Sequence, residues 1–366
     1  MKRKRILAMI LAVASCLSLA VSASAASTTT RKATDFRDYD RTAWYAEAVS
    51  AAVDNGLLYG KSSTVIDPNG AMTRAEMAAI INRSFGCYKT ADISQYKDVS
   101  KDKWYYKDVA LAVQMGTYNG RSASSMAPDA PISRQEAMTV VARALELDYD
   151  AYAKTDLTAF SDRGKISDWA LPYVRAMVGA DYIHGRGKVL APQDDITRAE
   201  FAQIFANIIG SYITVKGTYD KDIKGSVLVR TDDVILKDMT VDGDLIIGCG
   251  AADGKIVLDN VTIKGRLLTW GGGTKAVYCN NGTSTPEVIA ARVDDAVKII
   301  FDRDSTLAVI DSIKARITER AKQNKETEII FYDVSGLREA QKQLNAIVAD
   351  NQIDITAPAH LYALVG

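Results

Sequence analysis

Arg74, Arg134 and Arg198 each stand one residue after a hydroxyl and two residues before a glutamate. The tetrads are Thr73-Arg74-Ala75-Glu76, Ser133-Arg134-Gln135-Glu136 and Thr197-Arg198-Ala199-Glu200. Hydroxyl and glutamate at this spacing form a capping box: the hydroxyl accepts from the N3 amide, and the glutamate reaches back to the N-cap amide. Thr73, Glu76, Ser133, Glu136, Thr197 and Glu200 are therefore assigned to structure. The arginine has no part in that motif, and a cation beside the positive end of a helix is mildly unfavourable. A guanidinium at a free helix start makes an anion site, because the amides and the bidentate fork converge on the same oxygens. Two partners would satisfy each arginine: an anionic ligand, or an Asp of a neighbouring repeat.

The tetrads sit in a longer frame. Trp44, Trp104 and Trp169 precede the arginines by 30, 30 and 29 residues; Gly60, Gly120 and Gly185 follow the tryptophans by 16; Pro68, Pro128 and Pro192 precede the arginines by six. Four landmarks in register over three units define a repeat of roughly 60 residues. Each unit opens on an aromatic-x-Asp step (Phe36/Asp38, Tyr96/Asp98, Phe160/Asp162). A first helix is expected from near the tryptophan to near Gly56, Gly116 or Gly179, with apolar residues at helical spacing. A Gly- and Pro-punctuated loop follows, and the tetrad opens a second apolar helix. The tryptophans read as core residues that double as a ligand wall.

This pattern resembles the S-layer homology (SLH) family, as a three-repeat array over about residues 31–212: repeat 1 at 31–92, repeat 2 at 93–155 and repeat 3 at 156–212. The resemblance implies an all-α, pseudo-threefold helical unit. It also implies non-covalent attachment to the bacterial wall through an anionic secondary cell-wall polysaccharide, often pyruvylated, bound in grooves between repeats. Carried over residue by residue, the ligand-binding set is Arg74, Arg134, Arg198, Trp44, Trp104, Trp169, Gly60, Gly120 and Gly185. The second tetrad departs, reading Ser-Arg-Gln-Glu, and the third unit carries one extra residue before Trp169 and one fewer before Arg198.

The N-terminus has the form of an export signal over residues 1–25. Lys2-Arg3-Lys4-Arg5 is a basic start, Ile6 to Ala20 is apolar, and Ala23-Ser24-Ala25 offers a cleavage site. Val13-Ala14-Ser15-Cys16 resembles a lipobox, but the apolar stretch runs on past the cysteine. No second segment is long and apolar enough to span a bilayer. A secreted, wall-associated location is expected. The chain holds 45 basic and 45 acidic residues; without the leader the balance is 41 − 45 = −4, so no nucleic-acid partner is expected. Cys87, Cys249 and Cys279 remain, an odd number that excludes a complete disulfide framework; Cys249 and Cys279 could pair, but unpaired buried cysteines are the expectation. With two scattered histidines, His184 and His360, neither a metal, a cofactor nor a His-based triad is expected.

From Tyr212 the chain changes to short β-rich runs. Leu236, Val241, Gly243 and Leu245 recur 22 residues on as Leu258, Ile263, Gly265 and Leu267. That frame reads as rungs of a short β-solenoid over residues 213–285. A small α/β cap is expected over residues 286–366, with helices at Ser312–Gln323 and Leu337–Val348. Asp242/Asp244 and Asp294/Asp295 are carboxylate pairs, but neighbouring Asp residues on a strand point to opposite faces and Asp at a turn serves the backbone. No catalytic residue is assigned. The favoured function is a non-catalytic surface protein whose second half is displayed, self-associates or meets other surface proteins. The alternative is a wall-anchored glycan-processing enzyme.

Overall fold

The computed structural model describes residues 31–86, 88–273, 277–336 and 339. The expected leader, Cys16, Cys87, His360 and the helix expected at Leu337–Val348 lie outside or almost wholly outside these residues. Residues 31–208 carry six α-helices, two per repeat: α1 (Ala46–Asp54) and α2 (Arg74–Ser84), α3 (Tyr106–Met115) and α4 (Arg134–Ala144), α5 (Leu171–Gly179) and α6 (Arg198–Ile208). The first helix of each repeat buries Ala and Val side chains, and it packs across a repeat boundary: α3 on α2, α5 on α4, and α1 on α6. The last pairing joins the first repeat to the third and closes the array.

Closure has a polar counterpart at its centre. Met72, Ile132 and Ile196, each two residues before a tetrad arginine, are fully buried. The Met72 amide donates to Ile196 O at 2.9 Å, Ile196 to Ile132 O at 3.0 Å, and Ile132 to Met72 O at 2.9 Å. Three extended segments thus satisfy one another in a cycle, leaving no backbone group of the trio stranded in the interior.

Residues 209–331 form twelve strands in two parallel sheets. Odd-numbered strands make one sheet: β1 (Ile209–Ile213), β3 (Ser226–Val229), β5 (Leu245–Ile247), β7 (Arg266–Thr269), β9 (Glu287–Ala290) and β11 (Lys314–Ile317). Even-numbered strands make the other: β2 (Gly217–Tyr219), β4 (Val234–Val241), β6 (Ile256–Ile263), β8 (Val277–Asn280), β10 (Lys298–Phe301) and β12 (Glu328–Phe331). The 22-residue frame is the register itself: Leu236 pairs with Leu258, Val241 with Ile263, and Leu245 with Leu267. Inward-pointing Val, Leu and Ile from both sheets fill the space between them.

Three expectations are corrected. First, the boundary at 212/213 falls inside β1, which leaves α6 without a linker and pairs with β3. Second, residues 286–331 are not a separate α/β cap. Val288 and Ala290 stack on Leu267 and Thr269, and Ile299 and Phe301 on Val277 and Cys279, so the same inward rows continue. The period hides because later coils lengthen: Ala290 pairs with Ile317 and Phe301 with Phe331, 27 and 30 residues on. A short helix, α7 (Arg303–Val309), fills one of these lengthened coils. Third, the helix expected at Ser312–Gln323 is β11 followed by a 3-10 turn at Ala321–Gln323. Ile313 and Ile317 are four apart, a spacing that serves one face of a strand as well as one face of a helix.

The sheet of odd strands turns its other side to the helices. Leu228, Ile246, Leu268, Ile289 and Trp270 share one core with Phe85 and Phe205. Trp270 is 2% exposed, and its indole N–H donates to Ala144 O at 2.8 Å. Arginines of the two-sheet body reach carbonyls at helix C-terminal ends: Arg230 to Asn55 after α1, Arg320 to Gln114 in α3, Arg266 to Leu145 and Arg316 to Glu146 after α4. These cations satisfy carbonyls that a helix end leaves open and oppose its negative pole.

Candidate functional site

Three open grooves lie between neighbouring repeats, with volumes of about 430, 410 and 380 Å³. Each takes a glycine and glutamate from one repeat, the tryptophan of the next, and the tetrad arginine of the one before. The Gly60 groove holds Glu76, Trp104 and Arg198; the Gly120 groove holds Glu136, Trp169 and Arg74; the Gly185 groove holds Glu200, Trp44 and Arg134.

The tetrads close as capping boxes. The Thr73 hydroxyl accepts from Glu76 N at 3.2 Å, and Glu76 Oε2 accepts from Thr73 N at 2.9 Å; Ser133/Glu136 and Thr197/Glu200 repeat the pattern. The second carboxylate oxygen of each glutamate has another use. Glu136 Oε1 pairs with Arg74 Nη1 at 2.8 Å, Glu200 Oε1 with Arg134 Nη1 at 3.2 Å, and Glu76 Oε1 with Arg198 Nη1 at 3.0 Å. Each glutamate thus caps its own helix and binds the arginine of the preceding repeat. Burial pushes these carboxyls up, but hydrogen bonds from Lys61, Arg121 or Arg186, the N-cap amide and the tetrad arginine hold them below the ordinary carboxylate range.

The arginines are buried, at 2–5% exposure. Their Nε atoms donate to Met126 O, Leu190 O and Ile66 O, all at 2.8 Å, in the proline loop of the next repeat. The carboxylate partner is the tetrad glutamate, not an Asp. Nor are the helix starts free. Arg74 N and Ala75 N donate to Ala130 O and Pro128 O, Arg134 N and Gln135 N to Asp194 O and Pro192 O, Arg198 N and Ala199 N to Gly70 O and Pro68 O. The N1 and N2 amides that an anion would use are taken by a neighbouring loop. The Asp of each aromatic-x-Asp step holds that loop from the other side: Asp38 accepts from Ile66 N and Asp67 N, with Asp98 and Asp162 doing the same in the other repeats.

The tryptophans are not core. Trp44, Trp104 and Trp169 are 64%, 61% and 51% exposed, each on a groove wall. Trp44 and Trp104 stand edge-on to the adjacent Tyr45 and Tyr105. The glycines are needed beneath the groove: a Cβ on Gly60 or Gly120 would meet the ring of Phe36 or Tyr96 and the carbonyl of Ser62 or Ser122, and Gly185 has φ +73°. Sequence reading missed a second set of cations. Lys61, Arg121 and Arg186 follow the groove glycines and reach the tetrad glutamates at 2.7, 3.1 and 2.5 Å. Their side chains are 35–43% exposed, so they, more than the tetrad arginines, face solvent. Arg83 and Arg143, nine residues after the tetrad arginine, add to two grooves; the third has Asn207 there. The shared positions after the glycine were legible signals for this set. His184 is in a loop and lines the Gly185 groove.

A family model described as the S-layer homology domain matches residues 35–78, 95–138 and 159–202. The chain carries three S-layer homology domains. It is similar to a surface-layer 125 kDa protein of Lysinibacillus sphaericus, 32% identical over 57% of this chain and 17% of that protein. It is also similar to an exoglucanase of Acetivibrio thermocellus (28%, over 49% and 16%) and an S-layer protein of Bacillus anthracis (28%, over 41% and 17%). The chain spans about a sixth of the length of these relatives. With three S-layer homology domains and S-layer proteins among its relatives, it is a surface protein held at the bacterial cell wall. Its likeness to the glycan-acting relative is that of the anchoring repeats.

In the second half, the carboxylate pairs singled out in the sequence are engaged structurally. Asp244 is buried and ion-paired to Arg266 at 2.6 Å, and Asp242 meets Lys264 at 2.6 Å. Asp294 is buried against Arg292 at 3.1 Å, and Asp295 accepts from Ala296 N. Cys249 and Cys279 are both free thiols; the Cys249 thiol donates to Asn82 O.

Proposed function

We propose that the three grooves bind an anionic secondary cell-wall polysaccharide, such as a pyruvylated one, and that this grip anchors the chain. The observation that carries the reading is the threefold recurrence of one layout: an exposed tryptophan opposite a half-exposed cation, over a floor made rigid by a buried Arg–Glu pair. An exposed indole offers a flat apolar face to a sugar ring. The half-exposed cation offers a charge-assisted bond to a carboxylate. The tetrad arginines line the floor and position Glu76, Glu136 and Glu200, which in turn aim the exposed cations. Residues 209–331 form a short β-solenoid in this reading, following an export signal at 1–25, and serve display or assembly at the surface.

The test is retention of the full chain on purified wall sacculi before and after the non-peptidoglycan polymer is stripped. Retention is expected to vanish on stripped walls; equal retention on both would remove the polymer from the account.

A further inference from the structure

The three grooves share a floor but differ at the rim, and the differences are electrical. Three positions set them: the residue after the groove glycine, the residue nine after the tetrad arginine, and the residue after the proline of the facing repeat. They read Lys61, Arg83 and Asp129 in the Gly60 groove; Arg121, Arg143 and Gln193 at the Gly120 groove; Arg186, Asn207 and Asn69 at the Gly185 groove.

Counting charged residues that line each groove ranks them. The Gly60 groove has Arg198, Lys61 and Arg83 against Glu76 and Asp129, 3 − 2 = +1. The Gly185 groove has Arg134 and Arg186 against Glu200, 2 − 1 = +1. Its exposed cation is also pinned twice, to Glu200 at 2.5 Å and to Asp194 at 2.9 Å. The Gly120 groove has Arg74, Arg121 and Arg143 against Glu136 alone, 3 − 1 = +2. Arg143 is held by a phenol: its guanidinium carbon lies 4.8 Å from the centre of the Tyr173 ring, and Nη2 meets Tyr173 Oη at 3.1 Å. Among the described residues no carboxylate forms an ion pair with Arg143. Its charge is fixed in place and unspent; Arg83 is held in the same way, over the Tyr59 ring at 3.7 Å and on Leu57 O at 2.8 Å, so the Gly60 groove differs from this one in net charge through Asp129.

We infer that the Gly120 groove is the dominant site of the three, and that it selects an acidic sugar whose carboxylate lies between Arg121 and Arg143 with its ring against Trp169. The inference rests on the groove reading above and adds an order to it. Two guanidiniums converging on one carboxylate favour a planar anion over a neutral sugar. The other two grooves bind the same sugar more weakly, one because Asp129 faces it, the other because Asn207 replaces the free guanidinium.

The test is calorimetric titration of the full chain with a methyl hexoside bearing a pyruvyl ketal. One tight site and a weaker class are expected. Arg143→Asn, which gives this groove the residue of the third, should weaken the tight site about tenfold, a loss of one charge-assisted contact. Arg83→Asn should act on the weaker class instead. Asn207→Arg should raise a second site towards the tight one. Tyr173→Phe keeps the charge and removes one bond, and should keep most of the tight affinity; a thermal melt checks that each variant is folded. Three equal sites in the unaltered chain, or equal losses at the tight site in folded Arg143→Asn and Arg83→Asn, would overturn the ranking. If instead the unaltered chain takes up no probe and is retained equally on stripped and intact walls, the groove reading itself falls, and the ranking with it.

Discussion

In the helical triplet the first and last repeats touch, through α1 on α6 and the Met72–Ile196 hydrogen bond. In the two-sheet body the first and last strands lie at opposite edges, β1 and β11 in one sheet, β2 and β12 in the other. The closed region holds its repeats together with side chains of fixed identity. Arginine must reach a loop carbonyl and a glutamate at once, and no other residue has that fork. The open region holds its coils together by backbone pairing and apolar filling, which accept any Val, Leu, Ile or Phe of suitable size. Bonds that need one residue type leave that type at every copy, whereas packing leaves only a pattern. The two regions are nevertheless joined through Trp270 and the arginine contacts to helix ends, so the contrast in bonding does not imply independent stability.

The largest expected effect tests that junction. Trp270→Ala removes a buried indole and its bond to Ala144 O, and should cost about 3–5 kcal/mol. Helical and strand signals should then melt together at a lower denaturant concentration. A helical transition that stays where it was would show that the triplet stands alone, and would restore the picture of an anchor with a separate attachment.

Next comes the ring of ion pairs. Arg198→Ala breaks the ion pair with Glu76 and two loop contacts, to Ile66 O and Tyr59 O, and should cost about 3 kcal/mol, somewhat relieved because Lys61 still faces Glu76. The carboxyls of Glu76, Glu136 and Glu200 are held below their ordinary range. A depressed folded pKa gives stability that is present above the unfolded value of about 4.3 and is lost as pH falls through the folded one. Urea midpoints should therefore be flat above about pH 5 and fall in acid. Arg198→Ala should fall less steeply, having lost one depressing charge. An identical acid slope in both chains would mean that the ring contributes no linkage.

The smallest effect is local. Thr73→Ala removes one hydroxyl from one capping box and should lower stability by about 1 kcal/mol, with wall retention of the folded chain unchanged. A loss of retention without a loss of stability would give the cap a role in the groove.

What could be read from the sequence follows the same division. The capping boxes are contacts between residues three apart, so spacing alone revealed them. The partner of Arg74 lies 62 residues away at Glu136, and the sequence pointed only to a neighbouring repeat, with Asp as the guess. The tryptophans were legible as landmarks, but their exposure was not, because an aromatic residue at a helix start fits a core as well as a groove. The 22-residue register of β4 to β7 was legible from four landmarks. It faded where coils lengthen, and Ile313 and Ile317 then read as helix. Trp270 was illegible: it occurs once, in no repeat, and its partner Ala144 O is a backbone atom.

The cycle of Met72, Ile132 and Ile196 also sets an upper limit. Each segment gives one hydrogen bond and takes one, so the set is complete at three and offers no place for a fourth. A chain built on this closed triangle cannot strengthen its grip by gene duplication of another repeat, as an open stack can. Under the proposed function, more grip then comes from a second complete triplet or a second molecule on the same polymer, so surface density becomes a variable through which avidity is adjusted.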